Sequence, residues 1–368
     1  MPEVVVVGAG PVGMLLACLL AQEGIDVAVL EKRVGSDERT RAIGIHPPGL
    51  QALGAAGVGA EVLEEALSLD GGEVISRGRV RASLSFRPER RVLILPQHRT
   101  GALLRERLGR VAPGALQDGC TVLAAHDEGH RVRVTYTSEG RNADLTASLL
   151  VAADGVHSGI RKATAIGWRT RAGNGSYAMG DVVHTGAPRA QLYCEPGGLV
   201  ESFPLPGGMR RWVVRETSPL TTAPAFRAAI RERTGVEVPL GDETAPTRFQ
   251  AAQHVAERIA QGRIVLLGDA AHELSPIGGQ GMNLGWLGAC RLVPAISSAL
   301  RTGVPEFAAV DRRIRRAALA AQRRSRFYMA MGSPAGTVSV RARELLISAL
   351  GIPPLSGVAA DLITMRGA

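Results

Sequence analysis

The sequence predicts an α/β protein: a parallel, helix-flanked sheet joined to a mainly antiparallel β-sheet. Three observations carry this reading. Residues 1–31 spell a β-α-β unit, with a β-branched run at 4–7, a helix over 11–23 stopped at Gly24, and a second strand over 25–30. Two further short apolar runs, 149–153 and 264–267, have the unbroken aliphatic character of strands buried on both faces. Residues 177–216 have a different texture, alternating strands broken by Pro188, Pro196-Gly197-Gly198 and Pro206-Gly207-Gly208, which suits a meander of hairpins.

The remaining elements follow in order. Helices are expected over 47–56, 103–111, 226–234, 282–300, 307–329 and 338–350, short strands over 73–75, 80–86 and 92–95, and a hairpin from 121–124 and 132–136. The chain is longer than one core usually supports. The expected organisation is therefore interrupted: residues 1–70, 97–175 and 255–330 form one domain, 71–96 and 176–254 a β-sheet domain, and 331–368 a helical segment.

Composition excludes several classes. The 368 residues are 45% hydrophobic and 21% charged, as in ordinary globular proteins. The net charge of +9 does not read as nucleic-acid binding. Lysine occurs only at Lys32 and Lys162, and the arginines are interleaved with acids and accompany no nucleic-acid motif. Arg312, Arg313, Arg315, Arg316, Arg323, Arg324 and Arg326 are expected to form a solvated helix face. Cys18, Cys120, Cys194 and Cys290 lie far apart and predict neither a zinc site nor a disulfide framework. No apolar run reaches the ~18 residues of a membrane span, and the apolar stretch 14–21 follows a strand and a glycine turn, so it reads as a buried helix. A reducing, cytoplasmic setting is expected, with no membrane partner.

Chemistry concentrates in three segments. Gly8-Ala9-Gly10-Pro11-Val12-Gly13 follows a strand and opens a helix, the context a dinucleotide fingerprint requires. Gly8 permits the tight turn, Gly10 lets a pyrophosphate approach the backbone, and Gly13 allows close helix–strand packing. The helix N-terminus offers N–H donors and partial positive charge to phosphates. Glu31 ends the second strand, where a carboxylate can bind ribose hydroxyls. This motif alone does not distinguish FAD from NAD. Gly268-Asp269, at the end of the apolar run 264–267, favours FAD, because an aspartate there can accept hydrogen bonds from a ribityl chain. Pro276-Ile277-Gly278-Gly279-Gln280-Gly281-Met282-Asn283 then enters a helix whose N-terminus can face the flavin edge that gains negative charge on reduction. His272 is a candidate for proton transfer, with packing as the alternative. Asp154-Gly155 is weaker by itself.

Together GAGPVG with Glu31, VAADGVHSGIR (151–161) and RIVLLGDAAHELSPIGGQGMN (263–283) resemble the class A flavoprotein monooxygenases, the para-hydroxybenzoate hydroxylase family, over residues 1–330. The resemblance implies a Rossmann-like FAD-binding domain with a β-sheet substrate domain. It implies further cofactor contacts at Lys32, Arg41 and Gln97, with Arg99 as an alternative to Gln97, and places Asp154-Gly155 at the FAD and NAD(P)H sites. Pro276 is implied beside the reacting face of the flavin. The implied activity is monooxygenation: NADPH or NADH reduces FAD, O2 adds at flavin C4a, and the hydroperoxide hydroxylates an aromatic or polyketide-type small molecule, as in antibiotic biosynthesis. Epoxidation or oxygen insertion on a non-aromatic substrate, and a non-catalytic flavin-binding role, remain alternatives, as do monomer and homodimer. The halogenase WxWxIP motif is absent, since Trp212 stands alone. After 331 too little chain is expected for a thioredoxin-like domain. The substrate pocket is expected from Met179 to Asp181, Tyr193, Glu201 to Phe203 and Trp212, of which strand alternation turns about half inward.

Overall fold

A computed structural model of the chain describes residues 1–35, 42–171, 175–184 and 186–366. At its centre is a six-stranded sheet in the order Ala260–Gln261, Ile264–Leu266, Leu149–Ala152, Val4–Val7, Val27–Glu31 and Leu116–Asp118. All pairings are parallel except the first hairpin. Val4, Val5, Val6, Leu149, Leu150, Val151, Val265 and Leu266 are completely buried. Unbroken apolar runs are what a sheet covered on both faces selects. Helix Pro11–Gln22 covers this sheet, and helix Gly281–Thr302 packs beside it.

The second large element is a seven-stranded sheet, Thr247–Gln250, Ser176–Val183, Met209–Arg215, Gly198–Leu205, Arg189–Glu195, Gly71–Ser76 and Arg79–Ser85. The expected meander is present, antiparallel throughout except where Arg189–Glu195 runs parallel to Gly71–Ser76. That crossover joins two segments more than a hundred residues apart in the chain, which local pattern does not encode. Helix Ala223–Thr234 covers one face of this sheet, burying Phe226 and Ile230 against Tyr193, Trp212 and Val214.

Three differences from the sequence expectation have simple causes. The expected hairpin at 121–136 gains a third strand, Arg141–Ala147, whose polar, largely exposed residues give no apolar alternation. The run 92–95 leaves the large sheet: Val92–Ile94 pairs with Gly44–Ile45 and Leu67–Leu69 in a sheet of its own. Beyond residue 331 lie two helices, Thr337–Leu350 and Leu355–Ile363, the first packed on strand Arg79–Ser85. Its buried Arg343 donates to the carbonyls of Cys194, Glu195 and Ser333. Among the described residues no single helix is long and apolar enough to cross a membrane.

Candidate functional site

The two large sheets face a single cavity of about 1610 Å3. A pocket for one drug-sized ligand runs to about 1,000 Å3, so this one has room for more. One end is built of glycine turns and the other of apolar side chains.

At the glycine end, strand Val4–Val7 turns at Gly8, whose φ of +102° and close approach to Ala153 leave no room for a side chain: an added Cβ would lie 2.5 Å from the Ala153 carbonyl oxygen. A Cβ on Gly13 would lie 2.1 Å from the Gly8 carbonyl oxygen, so this glycine lets the helix start against the turn. Gly10 is different. Nothing lies within 4 Å of its added Cβ, and the space there is the cavity itself. Gly10, Pro11, Val12 and Gly13 thus present the first turn of helix Pro11–Gln22 to an open cradle, the shape and polarity that suit a phosphate. Glu31 is aimed by two backbone donors, Ala9 N–H at 2.7 Å and Arg33 N–H at 3.0 Å, and lines the cavity with Lys32.

The second segment reaches the same cradle. Asp154 and Gly155 follow strand Leu149–Ala152 and line the cavity, Gly155 with φ +83°. One Asp154 carboxylate oxygen accepts weakly from Ile160 N–H at 3.4 Å; the other, Oδ1, is buried with no partner among the described residues. Arg161, at the end of this segment, was not anticipated as a site residue. Buried beneath the cavity, it donates to the Ala270 carbonyl at 3.1 Å and the Val156 carbonyl at 2.9 Å, and it stacks on Trp168 at 3.7 Å. It fastens the second segment to the third.

In the third segment, Gly268 (φ +62°) sets Asp269 at the end of strand Ile264–Leu266, where its side chain is exposed to the cavity. Pro276, Gly279, Gly281 and Met282 line the cavity as expected, in a turn closed by Gly279 N–H to the Pro276 carbonyl at 2.9 Å. Gly285 meets Val12 so closely that an added Cβ would lie 2.6 Å from a valine methyl, which docks helix Gly281–Thr302 on the first motif.

Some expected residues stand elsewhere. Asn283 is fully buried behind the wall: its oxygen accepts from His46 N–H, and its amide donates to the carbonyls of Gly44 and Gly279. It braces the turn and does not line the cavity, because the first turn of the helix rotates it inward. His272 is a correction of the same kind. It is 1% exposed, does not line the cavity, and has no hydrogen-bond partner on either ring nitrogen among the described residues. Burial lowers its pKa to about 4, so it packs as a neutral ring. His46 does line the cavity beside Gly279, also neutral, with burial lowering its pKa to about 4. Gln97 lines the cavity and accepts from Ala42 N–H at 3.3 Å, whereas Arg99 is paired outside the cavity with Glu65 at 2.8 Å. Arg41 lies outside the described residues. Arg324 turns from the expected solvated face towards the cavity and donates to Gln280 at 3.3 Å, while Arg323 borders the cavity and stays exposed.

The seven-stranded sheet forms the apolar end. Alternation splits the expected pocket residues: Met179, Glu201 and Phe203 face the cavity, while Trp212 and Tyr193, stacked at 6.2 Å, pack behind against helix Ala223–Thr234. Gly180 faces back towards Phe226, Ser202 is held by Arg210, and Asp181 pairs with Arg211 at 2.7 Å. Ile347, Leu350, Leu355, Val358 and Leu362 of the last two helices complete the enclosure. Nothing in their sequence marks them as cavity residues, because only the fold brings them there.

A dinucleotide cradle of three separate glycine turns, opening onto an apolar chamber walled by a mixed sheet, defines a flavin-nucleotide-binding protein of the para-hydroxybenzoate hydroxylase-like fold. The chain belongs to the FAD binding domain family, whose model matches residues 1–323, and its cofactor is FAD. It is 29% identical over 321 residues to an uncharacterized aromatic compound monooxygenase of Bacillus subtilis, covering 83% of this chain and 63% of that protein. It is 28% identical over 327 residues to the 6-methylpretetramide 4-monooxygenase of Streptomyces rimosus, covering 82% of this chain and 56% of that protein. The chain thus spans about six-tenths of the length of these two relatives. The crystal structure of a p-nitrophenol 4-monooxygenase from Pseudomonas putida matches the fold with a TM-score of 0.87 at 22% identity, over 100% of this chain and 98% of that one.

Proposed function

We propose that the protein is an FAD-dependent, NAD(P)H-using monooxygenase that hydroxylates an aromatic or polyketide-type small molecule. The observation that carries this reading is the continuity of the cavity: the glycine cradle and the apolar wall are two ends of one space. A flavin held by the cradle would share this space with a substrate on the wall. The names of the two relatives, an uncharacterized aromatic compound monooxygenase and a 6-methylpretetramide 4-monooxygenase, support the reaction class.

In this reading the first turn of helix Pro11–Gln22 holds the pyrophosphate, Glu31 the adenosine ribose and Asp269 the ribityl chain. Lys32, Arg41, Gln97, Asp154 and Gly155 complete the cofactor contacts. Gly279, Gly281 and Met282 direct a helix N-terminus at the ring edge where charge develops, and Asn283 keeps that turn rigid. Pro276 borders the reacting face. When bound, FAD would supply the redox chemistry, hydride acceptance from NADH or NADPH and activation of O2. The chain's part is to orient the substrate and exclude water, which the apolar wall and the last two helices accomplish. His272, buried behind the wall, does not reach this space. The reading includes a cytoplasmic setting, a monomer or homodimer, and the discontinuous FAD-binding and substrate domains set out above.

Purified protein is expected to carry FAD absorbance and to oxidise NADPH or NADH faster when a fused-ring phenol is present, with a product one oxygen atom heavier. Protein that binds no FAD, or shows no stimulated oxidation across a panel of phenols and polycyclic enols, would refute it.

A further inference from the structure

The wall of the chamber carries one unusual group. Alternation along strand Gly198–Leu205 puts Leu199, Glu201 and Phe203 on the cavity face. Glu201 lies opposite the apolar Leu192 on one neighbouring strand and Val213 on the other, and the titratable groups that feel its charge are the buried Tyr177 and Cys194. It is 3% exposed. Among the described residues its carboxyl has no ion-pair or hydrogen-bond partner. Two cations of the same sheet line the cavity, and both have carboxylate partners: Arg211 is engaged at two nitrogens by Asp181, each at 2.7 Å, and Arg248 pairs with Glu216 at 2.7 Å. A carboxyl buried without a partner is costly, and the open side from which a partner can arrive is the cavity.

We propose that Glu201 anchors the substrate, accepting a hydrogen bond from a phenol or enol hydroxyl on an otherwise apolar, uncharged fused-ring molecule and then taking its proton. The step balances without a co-reactant. The substrate O–H bond breaks, its electron pair stays on oxygen, and the proton forms a new O–H bond on the Glu201 carboxylate. One negative charge moves from the wall to the ring, where it enriches the carbons ortho and para to the oxygen. Burial pushes the Glu201 carboxyl up to about 8, closer to the ordinary phenol value near 10 than a solvated carboxyl would be. This brings donor and acceptor towards the matched basicity that proton transfer favours, and the carboxylate that takes the proton is present as pH reaches about 8 and above. The same buried carboxylate disfavours substrates that bring their own negative charge to this wall. The inference rests on the monooxygenase reading only for what the activated ring is used for; the binding claim stands on the wall itself.

The test is equilibrium binding of a hydroxyanthraquinone and its methyl ether to the FAD-loaded protein, followed by the ligand's own visible absorption, which also reports its ionisation. Wild type is expected to bind the phenol at least about tenfold more tightly than the ether, the effect of a hydrogen bond to a charged group. Above about pH 8, where the Glu201 carboxyl is ionised, the bound phenol should show a larger ionised fraction than the free ligand at the same pH. Glu201→Gln should bind the two ligands alike, without that excess, and Glu201→Asp should restore part of both effects. Equal affinity of wild type for phenol and ether overturns the inference, whether or not the glutamine variant loads FAD. So does a glutamine variant that keeps the preference and the excess. Protein that passes these tests yet never oxidises NADPH or NADH with any phenol keeps the anchoring role and loses the monooxygenase reading.

Discussion

The two ends of the cavity are built on opposite principles. At the glycine end the decisive feature is missing side chains: Gly8 and Gly13 bring backbone against backbone, and Gly10 leaves an open cradle. At the wall the decisive feature is which side chain points inward, with Glu201 facing the cavity and Trp212 behind it. The first kind of site tolerates no added atoms at its packing positions. The second tolerates changes of chemistry on the cavity face and penalises loss of volume behind it.

The largest effect should come from behind the wall. Trp212→Ala removes a nearly fully buried ring stacked on Tyr193 and is expected to cost about 3–5 kcal/mol, read by urea unfolding. A loss below about 1 kcal/mol would mean the back of the sheet is not packed as described. Gly13→Val comes next. Its side chain collides with the Gly8 carbonyl, and the expected cost is about 3 kcal/mol with loss of FAD, read from the flavin-to-protein absorbance ratio. Arg161→Leu cuts the link between the second and third segments. About 2 kcal/mol should be lost, with faster FAD release, and Arg161→Lys should recover only part.

Proton titrations sharpen the contrast, because the two ends pull in opposite directions. The folded pKa of Glu201, about 8, lies above its ordinary 4.5, so its contribution is full below 4.5 and is lost as pH rises through 8. His46 and His272 have folded values near 4, below the ordinary 6.5, so their contribution is present above 6.5 and is lost as pH falls towards 4. In wild type the Glu201 trend offsets about one of the two histidines between about pH 5 and 6.5, which leaves roughly half of the acid loss visible. Glu201→Gln should expose the acid loss, roughly 1 kcal/mol per histidine at pH 5.5, in unfolding midpoints measured across that range. A variant whose loss towards acid is no steeper than that of wild type would show that Glu201 is solvated. The smallest effect on stability belongs to Gly10→Ala, expected to change folding by less than about 0.5 kcal/mol while weakening FAD at least about tenfold, or 1.4 kcal/mol. If FAD affinity is unchanged, the cradle does not hold the pyrophosphate.

The same contrast separates what was legible beforehand. The three glycine segments and Glu31 were readable because tight turns and strand ends are local, and a glycine at a required position leaves its mark in the sequence. Alternation correctly said that half the meander residues would face inward, but not which half, since parity depends on which face the covering helix takes. Asn283 and His272 fell next to true cavity residues and turned out to be buried behind them, because neighbours on a helix or strand point in different directions.

By itself, then, the sequence determined the element types, the central parallel sheet and the three-part FAD cradle, all consequences of short-range sterics and periodicity. Only the tertiary structure decided the parallel pairing of Arg189–Glu195 with Gly71–Ser76 and the closure of the cavity by the last two helices. It alone joined the second and third segments through Arg161 and gave Glu201 its isolation. These depend on contacts between residues tens to hundreds of positions apart, which no local pattern records.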